Sequence, residues 1–336
     1  MSATDLRRIG STDLTVTALG FGSAPLGNRF RILDEDHCRS LVDDAWERGM
    51  RLFDTAPMYG FGLAENRLGV ALRNRPRAEY ALSTKVGRML TPTSDERPSD
   101  PMWVNTPPMR VVYDYSYDGA MRSIDDSLQR MLTDRIDIVL IHDCDRYGHG
   151  DNQPAVFDQA MTQAARALFD LRDQGVIGAV GIGVNEADVC VAAAHRADFD
   201  VFLLAGRYSL LEQEPLDVLM PLCSERGISL ILGGVYNSGI LATGVVTGAR
   251  HNYEAASQDV LARVAAIEKI CAANNVPIST VSLQFALAHP AVASVILGAS
   301  SVRQQEANVA AAEATIPDAV WDALREQGHL RSDAPV

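Results

Sequence analysis

The sequence has no CxxC pair, no apolar run long enough to cross a bilayer and no surplus of positive charge. Each absence closes a class of function. Five scattered cysteines, Cys38, Cys144, Cys190, Cys223 and Cys271, offer neither a zinc ribbon nor a disulfide framework, and they read as reduced, structural thiols. A spanning helix needs about eighteen consecutive apolar residues, and the opening "MSATDLRRIG" lacks the apolar stretch of a secretion signal. The expectation is a soluble, cytoplasmic protein without a membrane partner. Thirty Lys and Arg against 43 Asp and Glu give a net charge of −13, the wrong sign for a phosphate backbone, so nucleic acid is disfavoured as a partner. Linkers and internal repeats are also missing. Residues 1–336 therefore read as one domain, with 47% apolar content to fill a large core.

What is present is alternation. Eight short β-type runs recur along the chain: "VTALGFG", "RLFDTA", "YALSTKV", "IDIVLIHD", "IGAVGIGV", "DVFLLAG", "SLILGG" and "SVILGA". Between them lie helix-period stretches at Glu35–Arg48, Ala64–Arg73, Asp118–Leu132, Ala155–Asp173, Glu214–Glu225 and Ser257–Ala273. Eight such units without a break suit an α/β fold of the closed (β/α)8 type, a TIM barrel, better than an open doubly wound sheet. The N-terminal "LRRIGSTDLTVTALGFG" carries a turn signal between two short β-type pieces and reads as a hairpin closing the barrel floor. Residues 89–119, with five prolines and no helical period, and the stretch "CDRYGHGDNQPAVF" read as long loops on the C-terminal face.

In a parallel barrel the chemistry sits at the C-terminal ends of the strands. Four ionisable residues fall there: Asp54 and Tyr59 after the second strand, Lys85 ending the third, and His142 ending the fourth. Strands two to four are neighbours, so the four side chains can meet in one pocket. A lysine ammonium beside a phenol favours the phenolate and is expected to lower its pKa from about 10, while a carboxylate holds the lysine charged. A histidine across the pocket can fix the angle of the same substrate oxygen. The set suits moving a proton on and off a carbonyl or alcohol oxygen. Taken singly, each residue is equally explained by structure: a buried ion pair, a loop anchor, a core histidine. The cluster His142, Asp143, Cys144, Asp145, His149 and Asp151 lacks the regular spacing of a metal site, and no metal is expected.

The segments "FDTAPMYGFGLAENRLGVAL", "STKVG", "SLQRMLTDRIDIVLIHD", "GVIGAVGIGVN" and "VILGASSVRQQEANV" make the chain resemble the aldo-keto reductases over nearly its whole length. That resemblance implies a (β/α)8 barrel, a nicotinamide cofactor at the barrel mouth, and a catalytic tetrad of Asp54, Tyr59, Lys85 and His142, with Tyr59 as acid or base. It also implies cofactor contacts. Gly22 and Ser23 match the first βα loop, Asp54 counts in both sets, and Asn185 matches the partner of the carboxamide, although Val184 stands where a serine is usual. Tyr236, Asn237, Ser238 and Gly239 replace the usual aromatic-containing segment after strand seven, with Tyr236 as the substitute aromatic. At the adenosine end lie Gly298, Ala299, Ser300, Gln304 and Asn308. NADP-specific members carry a lysine and an arginine where this chain has Gly298 and Gln304, so NAD is the expected cofactor, with NADP kept possible by Arg303.

Within the family the resemblance is to the branch of aldose 1-dehydrogenases, L-galactose dehydrogenases and pyridoxal 4-dehydrogenases. It implies hydride transfer between the cofactor and the anomeric carbon of an aldose, giving a lactone. Asn28, Arg29, Trp103, Asn105 and Tyr147 are the expected substrate contacts. Three alternatives stand beside it: pyridoxal oxidation, a general NADPH-dependent aldehyde or ketone reductase, and a nicotinamide-binding regulatory protein with little turnover.

Overall fold

The computed structural model describes residues 2–94 and 100–336. Eight parallel strands close into a barrel: β1 (Leu19–Gly22), β2 (Leu52–Asp54), β3 (Ala81–Val86), β4 (Ile138–His142), β5 (Ala179–Val184), β6 (Val201–Ala205), β7 (Ser229–Gly233) and β8 (Val292–Leu297), each paired to the next in sequence and β8 to β1. All eight expected strands are present, most of them trimmed at their ends, while the last begins two residues earlier, at Val292.

The side-chain period of two explains where the polar residues go. Leu52, Ala81, Ile138 and Leu140 belong to one apolar cluster inside the barrel, together with Ala179, Val201 and Ile231. Phe53, Leu82, Val139 and Ile141 belong to the other, packed against the helices. Counting on by two from the inward set reaches Asp54 on β2, Ser83 and Lys85 on β3, and His142 on β4. These polar side chains therefore crown the apolar fill at the C-terminal mouth.

The expected hairpin forms, pairing Leu6–Arg8 with Thr15–Thr17, and its Ile9 and Val16 are buried in the interior cluster as a floor. The segment 89–119 departs from expectation. Instead of a loop throughout, Arg88–Pro92 pairs antiparallel with Met109–Tyr113 in a two-stranded ribbon, while residues 95–99 of that segment lie outside the described residues. The stretch after β4 folds into short helical turns, Arg146–His149 and Gly150–Asn152, and a helix from Gln153 that passes through a π-turn at Ala160–Ala164 to end at Asp173. Among the described residues, helices that the sequence pattern did not mark include Ala187–Ala194, Ile278–Ala288, Val302–Glu313 and Asp318–Glu326. All five cysteines are buried and unpaired. Among the described residues no helix is long and apolar enough to cross a membrane.

The loops after β1 and β2 touch backbone to backbone at two glycines. A Cβ on Gly27 would lie 2.7 Å from Gly60 N, and one on Gly60, whose φ is +63°, would overlap the Gly27 carbonyl oxygen. Gly60 directly follows Tyr59, so this contact fixes the loop that carries the phenol. Gly60→Ala is expected to destabilise the fold by about 1–3 kcal/mol through overpacking and φ strain, read as a lower denaturant midpoint.

Candidate active site

Lys85 and Asp54 form the centre of the mouth, each 1% exposed. Lys85 Nζ donates to both Asp54 oxygens at 2.9 Å and to the Thr55 carbonyl at 2.7 Å, and Ser83 Oγ donates to Asp54 Oδ1 at 2.8 Å. Burial works against the ammonium, but Asp54 and Tyr59 outweigh it and hold the Lys85 pKa above its ordinary value. Lys85 Nζ lies 5.0 Å from the centre of the Tyr59 ring, and His142 faces that ring edge-on at 6.1 Å. The structure thus brings all four expected residues into one cluster.

The phenol differs from expectation in one respect. Burial raises the Tyr59 pKa more than Lys85 lowers it, and Asp54, Asp143 and Tyr253 add to the rise, so the net direction is upward. Lys85 opposes a desolvation cost here rather than delivering a phenol below its usual range. His142 goes the other way. Burial, then Arg88 and Lys85, push it well below 6.5, so the imidazole is neutral near pH 7. It suits hydrogen bonding to a substrate oxygen, not donating a proton.

Around this cluster the expected cofactor residues divide. Ser23 and Thr55 follow β1 and β2, and their hydroxyl oxygens are buried with no hydrogen-bond partner among the described residues. Gly22 faces Gly298 closely enough that a Cβ on it would lie 3.3 Å from Gly298 N. Free buried hydroxyls and a shallow glycine-lined cradle fit a flat ring and its carboxamide. Asn185 is 8% exposed, its backbone N–H bound to Asp145 at 2.8 Å, its Oδ1 accepting from Tyr253 at 3.4 Å. Asn237 is otherwise engaged: buried, it accepts from Ser209 Oγ and donates to the Gly206 carbonyl at 3.2 Å, which makes it a loop brace. Tyr236 reaches Asn308 at 3.3 Å and links the β7 loop to the helix Val302–Glu313. Gly239 turns that loop with a φ of +100°, and Ser238 Oγ accepts from the Tyr253 N–H at 2.8 Å.

Tyr253 is the aromatic that sequence reasoning missed. It lies on a short turn between Arg250–His251 and Glu254–Ala255, bonded to Ser238 and Asn185, with the Arg29 guanidinium 5.9 Å and the Tyr147 ring 6.1 Å from its own ring. No periodic signal marks such a turn. Arg31 was also missed: it donates to the Ser300 carbonyl at 2.8 Å, beside His37 at 2.9 Å. Ser300 in turn donates its N–H and hydroxyl to Gln304 Oε1, at 2.8 and 3.1 Å, and Ala299 is buried beneath.

Of the expected substrate contacts, Trp103 is well placed. It stacks on Tyr59 at 5.7 Å, is 4% exposed, and its indole N–H has no partner among the described residues. Asn28 is not available. It is buried, its oxygen accepts from Arg67 at 2.8 Å and from the Leu33 N–H at 3.0 Å, and its amide nitrogen turns to the Asn105 carbonyl. The reason is local: Arg67 also binds Glu35 and the Leu26 and Leu33 carbonyls, so Asn28 completes a clamp on the first loop. Tyr147 is 58% exposed, with its ring 6.1 Å from that of Tyr253.

A closed eight-stranded barrel whose mouth holds a buried lysine–carboxylate pair against a phenol, with a neutral histidine opposite, is the arrangement of a TIM-barrel oxidoreductase site. The aldo/keto reductase family model matches residues 18–328. The chain is 41% identical to pyridoxal 4-dehydrogenase of Microbacterium luteolum over 98% of each chain, and 36% identical to D-threo-aldose 1-dehydrogenase of a Pseudomonas species over 93% of this chain and 94% of the other. Among solved structures, an aldo-keto reductase from Bacillus halodurans in its holo form superposes with a TM-score of 0.75 at 28% identity, covering 95% of this chain and 96% of the other. The chain belongs to the aldo/keto reductase family and is an NAD(P)-dependent oxidoreductase.

Two variants test the proton relay. Tyr59→Phe is expected to lower turnover by about 100- to 10,000-fold with cofactor affinity nearly unchanged, measured by steady-state kinetics and fluorescence titration. Lys85→Met leaves desolvation of the phenol unopposed, so alcohol oxidation should fall at every pH and its alkaline inflection should move upward. A pH–rate profile with the wild-type inflection would contradict this.

Proposed function

We propose that the protein oxidises the hemiacetal carbon of an aldose to a lactone with NAD, using Asp54, Tyr59, Lys85 and His142. The observation that carries this is the Lys85 ammonium, bound by Asp54 and set 5.0 Å from the Tyr59 ring at the barrel mouth. A bound nicotinamide supplies the hydride acceptor in oxidation, or the donor in reduction. In oxidation Tyr59 takes the hydroxyl proton and Lys85 stabilises the phenolate beforehand. Neutral His142 donates a hydrogen bond to the same oxygen and fixes its direction. Ser23, Thr55 and Asn185 would hold the carboxamide end and Tyr253 the ring face, while Ser300, Gln304 and Asn308 would hold the adenosine.

The preference for NAD rests on that last loop. Gly298 and Gln304 bring no charge, and Gln304 already braces Ser300. A 2′-phosphate entering there loses hydration, and the nearby Arg31 guanidinium is already engaged by the Ser300 carbonyl. Gly298 also has little room to change, since a Cβ would sit 3.1 Å from Pro25 Cδ. Gln304→Arg is therefore the variant that adds a cation with least disturbance.

Pyridoxal oxidation is the second reading. It is favoured by the Trp103 ring stacked on Tyr59 and by the 41% identity to a pyridoxal 4-dehydrogenase. One experiment covers both: kcat/KM for L-fucose, L-galactose, D-arabinose and pyridoxal, each with NAD and NADP. The expected result is sugar oxidation with at least about a tenfold preference for NAD, equivalent to about 1.4 kcal/mol. Gln304→Arg should narrow that preference mainly through the cofactor KM, because the change is remote from the hydride. Pyridoxal turnover without sugar turnover would select the second reading, and a wild type favouring NADP would make a general aldehyde reductase the better one.

A further inference from the structure

A second buried ion pair lies beside the tetrad. Arg88, which opens the ribbon, places Nη2 2.8 Å from Asp143 Oδ2, and the two residues are 6% and 8% exposed. Such a pair bears a desolvation cost that apolar residues of equal volume avoid. Asp143 also holds a left-handed backbone, φ +46°, which is uncommon outside glycine. Buried charge and backbone strain on one residue, directly after His142, point to a use at the site rather than to stability.

The pair is not saturated. An ionised carboxylate offers about four acceptor positions. Among the described residues the Asp143 carboxylate has one close contact, to Arg88; the others are long, with His142 Nε2 3.4 Å from Oδ2 and Asn185 Nδ2 3.5 Å from Oδ1. On the other side, Arg88 Nε is buried with no hydrogen-bond partner among the described residues. Nearby lie Met58 Sδ and the Tyr113 ring, the latter 5.3 Å away, neither a good acceptor for a third N–H. Burial pushes the Asp143 carboxyl up to about 6, with Arg88 opposing, so it is ionised at neutral pH.

We propose that the Arg88–Asp143 pair reads a hydroxyl on the carbon next to the reacting one. Asp143 Oδ2 lies 3.4 Å from Nε2 of His142, the side chain proposed to bond the reacting oxygen. Two oxygens on adjacent carbons can then be held one by each side chain: the reacting oxygen accepts from His142, and its neighbour donates to Asp143. Arg88 keeps the carboxylate charged and offers its spare N–H to the same hydroxyl. This rests on the aldose reading and narrows it to sugars that carry a 2-hydroxyl.

The test is kcat/KM for an aldose and for its 2-deoxy analogue, in the wild type, Asp143→Asn and Arg88→Met. The wild type should favour the hydroxylated sugar by about 10- to 100-fold, the range of a charge-assisted hydrogen bond. Both variants should bring the ratio close to one. The ratio is taken within one preparation, so loss of folded fraction cancels, and either variant alone suffices. A wild type that turns over both sugars equally, or a ratio unchanged in the variants, overturns the inference. A wild type inert towards both sugars overturns the aldose reading itself, and with it this refinement.

Discussion

The contact on which the site depends is the ion pair between Lys85 and Asp54. Both groups are shut off from water, and neither could remain charged alone: removing one partner of such a pair commonly costs about 3–5 kcal/mol. The pair persists because its polar atoms are occupied. The ammonium binds two carboxylate oxygens and the Thr55 carbonyl, and Ser83 supports the carboxylate. Strand register makes this possible, since Asp54 lies opposite Ser83 on adjacent parallel strands and Lys85 follows two residues on, on the same face. One cation is thereby held rigidly beneath a phenol.

The rest of the mouth reads as a balance of charge in a dry place. Two cations, Lys85 and Arg88, face two carboxylates, Asp54 and Asp143. Between them are a phenol and an imidazole that burial keeps neutral. Coulombic effects are strong where water is scarce, so the protonation of each neutral group is set by the two pairs together rather than by any one neighbour. A phenol with its pKa raised suits the acid's part in carbonyl reduction as it stands. Serving as base in oxidation asks more of Lys85.

Much of this was legible in the sequence because the strands keep a strict period of two. Leu52, Ile138 and Leu140 mark the inner face, and Asp54, Lys85 and His142 continue it where an apolar residue would otherwise stand. What escaped notice lacked such a pattern. The helix Ile278–Ala288 is buried almost all round, so it shows no polar face. The ribbon Arg88–Pro92 with Met109–Tyr113 was hidden by the prolines of the segment between its strands. Tyr253 and Arg31 come to the mouth by tertiary contacts from turns and loops, which no local rule foresees. Asn28 shows the opposite limit: a polar residue on a mouth loop looks like a ligand contact in the sequence, while in the fold its oxygen is engaged by Arg67. The sign of the Tyr59 shift was missed because the charge beside it was visible in the sequence and the degree of desolvation was not.

The glycine contact between Gly27 and Gly60 has a consequence for how this scaffold can diversify. With their main chains in van der Waals contact and no side chain between, the first two βα loops behave as one rigid lip, clamped further by Arg67. Insertions or bulky replacements in either would displace the phenol. Variation in the shape of the binding cleft is thereby directed to the later loops: the segment after β3, the helical turns after β4 and the Tyr253 turn. The lip is held constant for chemistry, and the tips of the later loops are where the cleft can be recut for different molecules.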